Sequence, residues 1–341
     1  MMKAALLTAP ETMRIGTLQT PRPGAGEVLI RPEYVGICGT DVSIYSGHRR
    51  VDYPFVLGHE LCGRIAGLGE GVAGLDVGQR VVVEPNYPCG ACRLCLSGRG
   101  AVCAGKRSMG VTVPGCLSEY ALAPAAFVWA VPESIPDPDA ATIEPLAVSL
   151  HGLKRSGAGR GDTVAVLGCG VVGLLLVHAA ASTGVRVLAH DRLEAKRKMA
   201  LDLGAALADD GADAGALWEK ENVTAVFECA GVADTATLAL GNAPRASAVI
   251  LLGLAASPAS FVPMRLVREG IEVYTSMIYD HPEDFARTID LVAKGSLHPG
   301  RVVTDTVPFE SAARAMELAR SGEGGKILVQ MEPTHYREDR R

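Results

Sequence analysis

From Thr163 onward short apolar strands alternate with helices, and this alternation constrains the fold more than any other feature of the 341-residue chain. TVAVLG reads as a buried strand, VVGLLLVHAAAS as an apolar helix, RVLAHD as a second strand and LEAKRKMALDLG as an amphipathic helix. AVFECAG, SAVILLG and IEVYTS follow as further strands, with helical or loop stretches between them. Strands joined through helices build a parallel, doubly wound sheet. The first 148 or so residues have a different texture, rich in Gly, Pro and Val, with short alternating runs such as EVLIRPEYVG and GQRVVVEP. Turn signals between those runs predict a mostly β domain of short strands. PEDFARTIDLVAKG and FESAARAMELARSG read as helices and GKILVQ as a closing strand, all expected to return to the first domain. The polar tail HYREDRR is expected to fray.

Within the alternating half, Gly168-Cys-Gly170-Val-Val-Gly173 follows a strand and opens a helix. A GxGxxG run alone is a weak signal, and its context gives it meaning. Gly168 makes the tight turn, Gly170 lets a pyrophosphate approach the backbone, and Gly173 allows close helix-to-strand packing. The helix N-terminus offers free N–H donors and the positive end of its dipole to phosphates. Asp191 ends the next strand, eighteen residues past Gly173, where a carboxylate accepts from both ribose hydroxyls. A 2′-phosphate there would be repelled, so NAD is the expected cofactor. Arg192 and Lys196 stand close enough in sequence to pair with such a phosphate or to lie beside the adenine.

Cys89, Cys92, Cys95 and Cys103 fall within fifteen residues as Cys-x2-Cys-x2-Cys-x7-Cys. Two-residue gaps turn successive thiolates inward on one tight loop, and a fourth completes a tetrahedron around a soft cation such as zinc. Four thiolates leave no open coordination position, so this metal is structural. The competing readings are four unrelated core cysteines or a pair of disulfides, and disulfides belong to small scaffolds in oxidising compartments. Arg93, Arg99, Lys106 and Arg107 lie near enough in sequence to offset the negative charge.

Composition narrows the function classes. A net charge of −5 with no dense Lys/Arg block argues against nucleic acid as partner. The start MMKAALLTAPETM lacks the apolar run of a signal peptide, and no stretch has the length and apolarity to span a bilayer. Nine cysteines without an export signal point to a reducing, cytoplasmic location.

Cys38 in ICGTD and His59 in LGHE are no metal signature by themselves, and either fits a core. The run Gly58-His59-Glu60-x2-Gly63-x5-Gly69-x2-Val72, however, resembles the signature of zinc-containing alcohol dehydrogenases of the medium-chain dehydrogenase/reductase superfamily. Cys38-Gly39-Thr40-Asp41, the four-cysteine loop, the GCGVVG run and GKILVQ fall in that family's order, so the resemblance covers residues 2–331. It implies an α/β architecture: a GroES-like, mostly β catalytic domain at 1–148 and 284–341, interrupted by a Rossmann NAD-binding domain at 149–283, with the active site in the cleft between. It also implies NAD, one catalytic zinc and one structural zinc per chain, a small alcohol or polyol as substrate, and a homo-oligomer, dimer or tetramer.

Carried onto this chain, the resemblance makes Cys38 and His59 ligands of the catalytic zinc. The third ligand position, a cysteine in alcohol dehydrogenases, falls on Glu144 in IEPLAVSLHG, as in the polyol (sorbitol-type) and threonine dehydrogenases. In sorbitol-type members Glu60 can itself bind zinc while the later glutamate holds the zinc-bound water, and the resemblance leaves both readings open. Thr40 resembles the hydroxyl residue that passes the alcohol proton toward solvent. The family's histidine three residues later is Ser43 here, so the exit runs through ribose hydroxyl and water. Val172 is placed over the pyrophosphate, Leu252, Gly253 and Leu254 beside the nicotinamide, and Ser276, Met277 and Ile278 on the ring's other side. Tyr45 shapes the pocket or packs. Cys62, Cys116, Cys169 and Cys229 read as small buried hydrophobes, and His178 and His190 as structural. His48, Arg49 and Arg50 read as a solvated basic cluster, the alternative being a site facing a phosphate or carboxylate on the substrate. The expected function is hydride transfer between a secondary alcohol, polyol or sugar-derived, and NAD. Threonine- and butanediol-type dehydrogenases are the alternatives within the family, and a non-catalytic NAD- and zinc-binding sensor the alternative outside it.

Overall fold

Six strands of the later half pair in parallel throughout, in the order Leu207–Asp209, Arg186–His190, Thr163–Leu167, Val223–Glu228, Ala248–Leu251, Glu272–Thr275. Numbered along the chain this is 3-2-1-4-5-6, which reverses direction between the first and fourth strands and opens a crevice at their C-terminal ends. The computed structural model describes residues 1–331. The polar tail expected to fray lies outside the described residues.

The helix Val171–Ser182 is apolar all round and correspondingly buried, Leu174 to Val177 having no exposed surface. Val226, Leu188, Val249, Ala239 and Trp218 belong to the core of this unit. The strand Leu207–Asp209 escaped the sequence reading, because three residues ending in Asp carry no periodicity to recognise.

The other unit is built on a seven-stranded sheet in which Glu27–Ile37 pairs antiparallel with Glu60–Leu68 on one side and with Lys326–Gln330 on the other. A three-stranded sheet (Thr12–Leu18, Met2–Ala9, Phe55–Val56) accompanies it. Leu7, Ile30, Val35, Leu57, Ile65 and Leu117 are in its core.

Among the described residues the compact units are 1–142 with 303–322 and 326–331, and 143–302 with 323–325. The borders expected after residues 148 and 283 are therefore displaced in both directions. Ile143–Ser156 packs along Val171–Ser182, and Glu283–Ala293 packs along Ile143–Ser156, so both helices bury their faces in the parallel-sheet unit. The return to the first unit begins only at the strand Val303–Pro308 and includes Ala312–Ser321 and Lys326–Gln330. Among the described residues no helix is long and apolar enough to cross a membrane.

Candidate metal centres and nucleotide site

In the first unit the strand Glu27–Ile37 runs out at Cys38, which takes an extended backbone and caps the helix Gly39–Tyr45. The Cys38 N–H donates to Asp41 Oδ2 at 2.9 Å, closing a reciprocal capping box. Asp41 has no exposed surface, and its Oδ1 accepts from the Gly58 N–H at 3.0 Å and lies 3.3 Å from His59 Nδ1. One buried carboxylate thus fastens the two loops that carry Cys38 and His59. Ligand atoms of Cys38, His59 and Glu60 lie within 4.8 Å of one another. His59 Nδ1 faces Asp41 without completing a hydrogen bond to it, and a carboxylate so placed is suited to orienting an imidazole whose Nε2 holds a cation. Burial, the largest single influence, would depress the His59 pKa, but Asp41 and Cys38 together outweigh it and raise it well above the usual value. Burial likewise works against the Asp41 carboxylate, yet His59 and the two backbone donors bring its pKa below the ordinary value.

Glu60 opens its strand directly opposite Gly36. A Cβ on residue 36 would stand 2.2 Å from Glu60 Oε2, so glycine is what admits the carboxylate. Both oxygens accept from Lys326 Nζ, at 2.8 and 2.5 Å, and the same ammonium donates to the Ile37 carbonyl at 2.9 Å. The two side chains are each 1% exposed. Burial would lower the Lys326 pKa, but Glu60, then Cys38, raises it above the usual lysine value. Thr40 stands half-buried in the first turn of the capped helix. Tyr45 is buried and donates its hydroxyl to the Glu11 carbonyl, a packing role.

Cys89, Cys92, Cys95 and Cys103 converge with their sulfurs within 4.8 Å, and none forms a disulfide. The Sγ separations are 3.8 Å for Cys89–Cys95, 3.5 Å for Cys92–Cys95 and 3.8 Å for Cys92–Cys103. A tetrahedron with metal–sulfur bonds of ~2.3 Å has edges of ~3.8 Å, so the four sulfurs fit zinc. The N–H groups of Ala91 and Cys92 lower the Cys89 pKa, while burial and the neighbouring Cys92 raise that of Cys95. Such a set ionises fully only around a cation. The three-residue set at Cys38 fits a metal as well, by its mixed S, N and O donors.

In the second unit the glycine loop has the predicted form. Gly168 takes φ +91°, and a Cβ there would meet the Ala230 backbone at 2.7 Å. A Cβ on Gly173 would lie 2.0 Å from the Gly168 carbonyl oxygen, which is the close packing expected of it, while Gly170 has open space before it. Asp191 is fixed by two backbone donors, Cys169 N–H to Oδ2 at 2.8 Å and Leu193 N–H to Oδ1 at 2.9 Å. Arg192 is exposed. Lys196, expected near the cofactor, is 5% exposed and donates its ammonium to the Gly324 carbonyl. The Val172 carbonyl accepts from Ser149 Oγ at 2.9 Å. Leu252 and Gly253 both donate their N–H to the Glu228 carbonyl, each at 2.9 Å, and Leu254 is exposed. Met277 is exposed and Ile278 half-buried, whereas Ser276 is 7% exposed and its Oγ has no hydrogen-bond partner. An orphaned buried hydroxyl at the end of the sixth strand fits a site awaiting a polar ligand. Glu144 lies in the first turn of Ile143–Ser156, 8% exposed, and its Oε1 accepts from the Tyr279 hydroxyl at 3.1 Å.

Asp41, Lys326 and Tyr279 went unassigned in the sequence. Asp41 carried a usable signal, three residues after Cys38 at capping-box spacing; Lys326 and Tyr279 find partners 266 and 135 residues away and carried none. Cys62, Cys116 and Cys169 are fully buried and Cys229 half-buried, as small hydrophobes should be. His190 is held between Asp209 Oδ1 and Trp218 Nε1, and His178 accepts from the His298 N–H, both structural. His48, Arg49 and Arg50 are exposed.

A family model described as "Alcohol dehydrogenase GroES-like domain" matches residues 24–133, and one described as "Zinc-binding dehydrogenase" matches 171–294. Sorbitol dehydrogenase from Bacillus subtilis (strain 168) is 32% identical over 351 residues, covering 97% of this chain and 97% of that protein. L-threonine 3-dehydrogenase from the same organism is 31% identical over 316 residues, 89% and 90% of the two chains. The crystal structure of the short chain alcohol dehydrogenase rspB from Escherichia coli CFT073, complexed with NADH, matches with a TM-score of 0.90 at 30% identity, covering 96% of this chain and 99% of that one.

Proposed function

This chain belongs to the zinc-containing medium-chain dehydrogenase/reductases, among the alcohol and polyol dehydrogenases, and from that premise we propose that it passes a hydride from a secondary alcohol, polyol or sugar-derived, to NAD at a zinc held by Cys38, His59 and a carboxylate. The observation that carries the reading is the convergence of Cys38, His59 and Glu60 within 4.8 Å with Asp41 behind the imidazole. When bound, zinc supplies Lewis acidity toward the alcohol oxygen and NAD supplies the hydride acceptor. Cys38 and His59 hold the ion, and Asp41 fixes the imidazole tautomer. The third donor is Glu60 or Glu144. Lys326 already neutralises Glu60, which favours Glu144 for that role or for holding the water at the metal. Thr40 takes the alcohol proton onward, and Ser43, which does not titrate near neutrality, leaves ribose hydroxyl and water as the exit.

Asp191 accepts from the ribose hydroxyls with both oxygens already oriented, which supports NAD over NADP. Gly168, Gly170, Val172 and Gly173 cradle the pyrophosphate, with Arg192 at the adenine end. Leu252, Gly253, Leu254, Ser276, Met277 and Ile278 flank the nicotinamide. Lys196, tied to the Gly324 carbonyl by one N–H, keeps two donors for the adenine end of the cofactor. The four-cysteine loop holds the structural zinc, which with reduced thiols supports a cytoplasmic location. A dimer or tetramer is part of the proposal, supported by exposed Met264, Val267 and Val273 at and beside the edge strand Glu272–Thr275.

NADH appearance across a panel of polyols, sugar phosphates, threonine and butanediol, with parallel NADP assays, tests the reading. Turnover with a polyol or sugar alcohol supports it, threonine or butanediol as the best substrate moves it within the family, and binding without any turnover would favour a sensor.

A further inference from the structure

The segment that follows the sixth strand of the second unit is held in a conformation its sequence disfavours. Ile278 has φ +51°, the left-handed region that a β-branched side chain seldom enters. Such a conformation persists where its surroundings over-determine it, and it concentrates at ligand sites. Here the surroundings are explicit. The Tyr279 hydroxyl donates to Glu144 Oε1 at 3.1 Å. The Asp280 N–H donates to Asp284 Oδ2 at 2.9 Å, and Lys154 Nζ bridges Asp284 Oδ1 at 2.9 Å and Asp280 Oδ2 at 3.4 Å. His151 Nδ1 lies 2.6 Å from Asp284 Oδ2, and the Phe285 ring packs 5.5 Å from that of Tyr279.

Glu144, His151 and Lys154 are spaced by seven and three residues on Ile143–Ser156, so one helix face makes all three ties. His151, Asp280 and Asp284 have the spacing of a metal cluster, but the Lys154 ammonium already sits on both carboxylates. The group is a clamp. Two residues before the strained position, Ser276 Oγ is buried without a partner.

We propose that Tyr279 is a positioning residue that couples cofactor binding to Glu144: its hydrogen bond holds the turn Ser276–Ile278 in the shape that receives the nicotinamide and holds the Glu144 carboxylate in one orientation. The inference rests on the reading above, which puts that turn beside the ring and Glu144 at the site. It adds that the two are one unit energetically. Loss of either partner loosens the turn, and by reciprocity the bound cofactor fixes the carboxylate.

NADH titration by fluorescence tests the coupling on Tyr279→Phe, Glu144→Leu, the double variant and Glu144→Gln, with melting curves confirming that each is folded. Each of the first two weakens NADH binding about three- to tenfold, the range of the net contribution of one hydrogen bond. The double variant is no weaker than the worse single one, because both remove the same interaction. Glu144→Gln keeps an acceptor for Tyr279 and so keeps near-normal NADH affinity while turnover falls. Independent effects that multiply in the double variant, or single variants within twofold of wild type, overturn the coupling. Full turnover in Glu144→Gln and Glu144→Leu would instead sink the assignment of Glu144 to the site, whatever the titrations give.

Discussion

Replacing Lys326 with methionine removes a buried ammonium and leaves the Glu60 carboxylate without its partner. The pair is 1% exposed on both sides, and the ammonium makes three short contacts, two to Glu60 and one to the Ile37 carbonyl. Methionine fills most of the vacated volume, so the loss is electrostatic. Removing one member of a buried pair costs about 3–5 kcal/mol. With a denaturant slope of about 2 kcal/mol per molar urea, the midpoint falls by roughly 1.5–2.5 M. The chain has two tryptophans, one in each unit, so a Trp218→Phe background leaves Trp129 to report the first unit alone. Urea titration of metal-free protein in that background measures the loss. Glu60→Gln/Lys326→Met should recover most of it, because the orphaned charge goes with its partner. Added zinc should also recover part in the single variant, since the freed carboxylate can turn to the ion. The raised Lys326 pKa sets the pH window: its contribution is complete below the unfolded lysine value near ~10.4 and fades as pH rises through the higher folded value. A midpoint shift below about 0.5 M in Lys326→Met would refute the reasoning, for the pair would then be solvated or dispensable.

Other outcomes follow from the same geometry. Asp41→Asn keeps the shape of the capping box but weakens the hold on His59, and metal affinity should drop about 10- to 100-fold by competition with a chromogenic chelator. Because Asp41 raises the His59 pKa, metal must displace a proton; loading should weaken as pH falls and release protons in unbuffered titration, whereas pH-independent uptake would contradict the imidazole's role. Cys95→Ser should leave the parallel-sheet unit intact while hydrogen exchange across residues 89–103 rises sharply, and unchanged protection there would mean the loop stands without a metal. Asp191→Ala should cut kcat/KM for NAD far more than for NADP, and an equal loss for both would remove Asp191 from the ribose.

How much was legible in the sequence depended on whether the partners were local. The glycine loop was readable because Gly168, Gly170 and Gly173 act within one strand–turn–helix, and the close approach at Gly173 is a matter of three consecutive elements. The four-cysteine loop was readable for the same reason, its sulfurs being brought together by one short stretch of chain. Lys326 looked like the first residue of an ordinary strand, and only the pairing of Lys326–Gln330 with Glu27–Ile37 puts its ammonium on Glu60. Lys196 has a further tie that sequence could not show: the chain returns at 323–325 to offer its ammonium the Gly324 carbonyl. The domain borders were misplaced because the apolar face of Glu283–Ala293 does not say which neighbour will cover it.

The direct test of the central claim is zinc content measured beside NAD-dependent alcohol oxidation in wild type, Cys38→Ser and His59→Ala, each confirmed folded. The account predicts about two zinc ions in the wild-type chain, one per cluster, and about one in either variant, with oxidation abolished while NADH still binds. A variant that sheds no zinc, or that sheds it and still turns over at the wild-type rate, would contradict the claim that Cys38 and His59 hold the ion on which the chemistry depends.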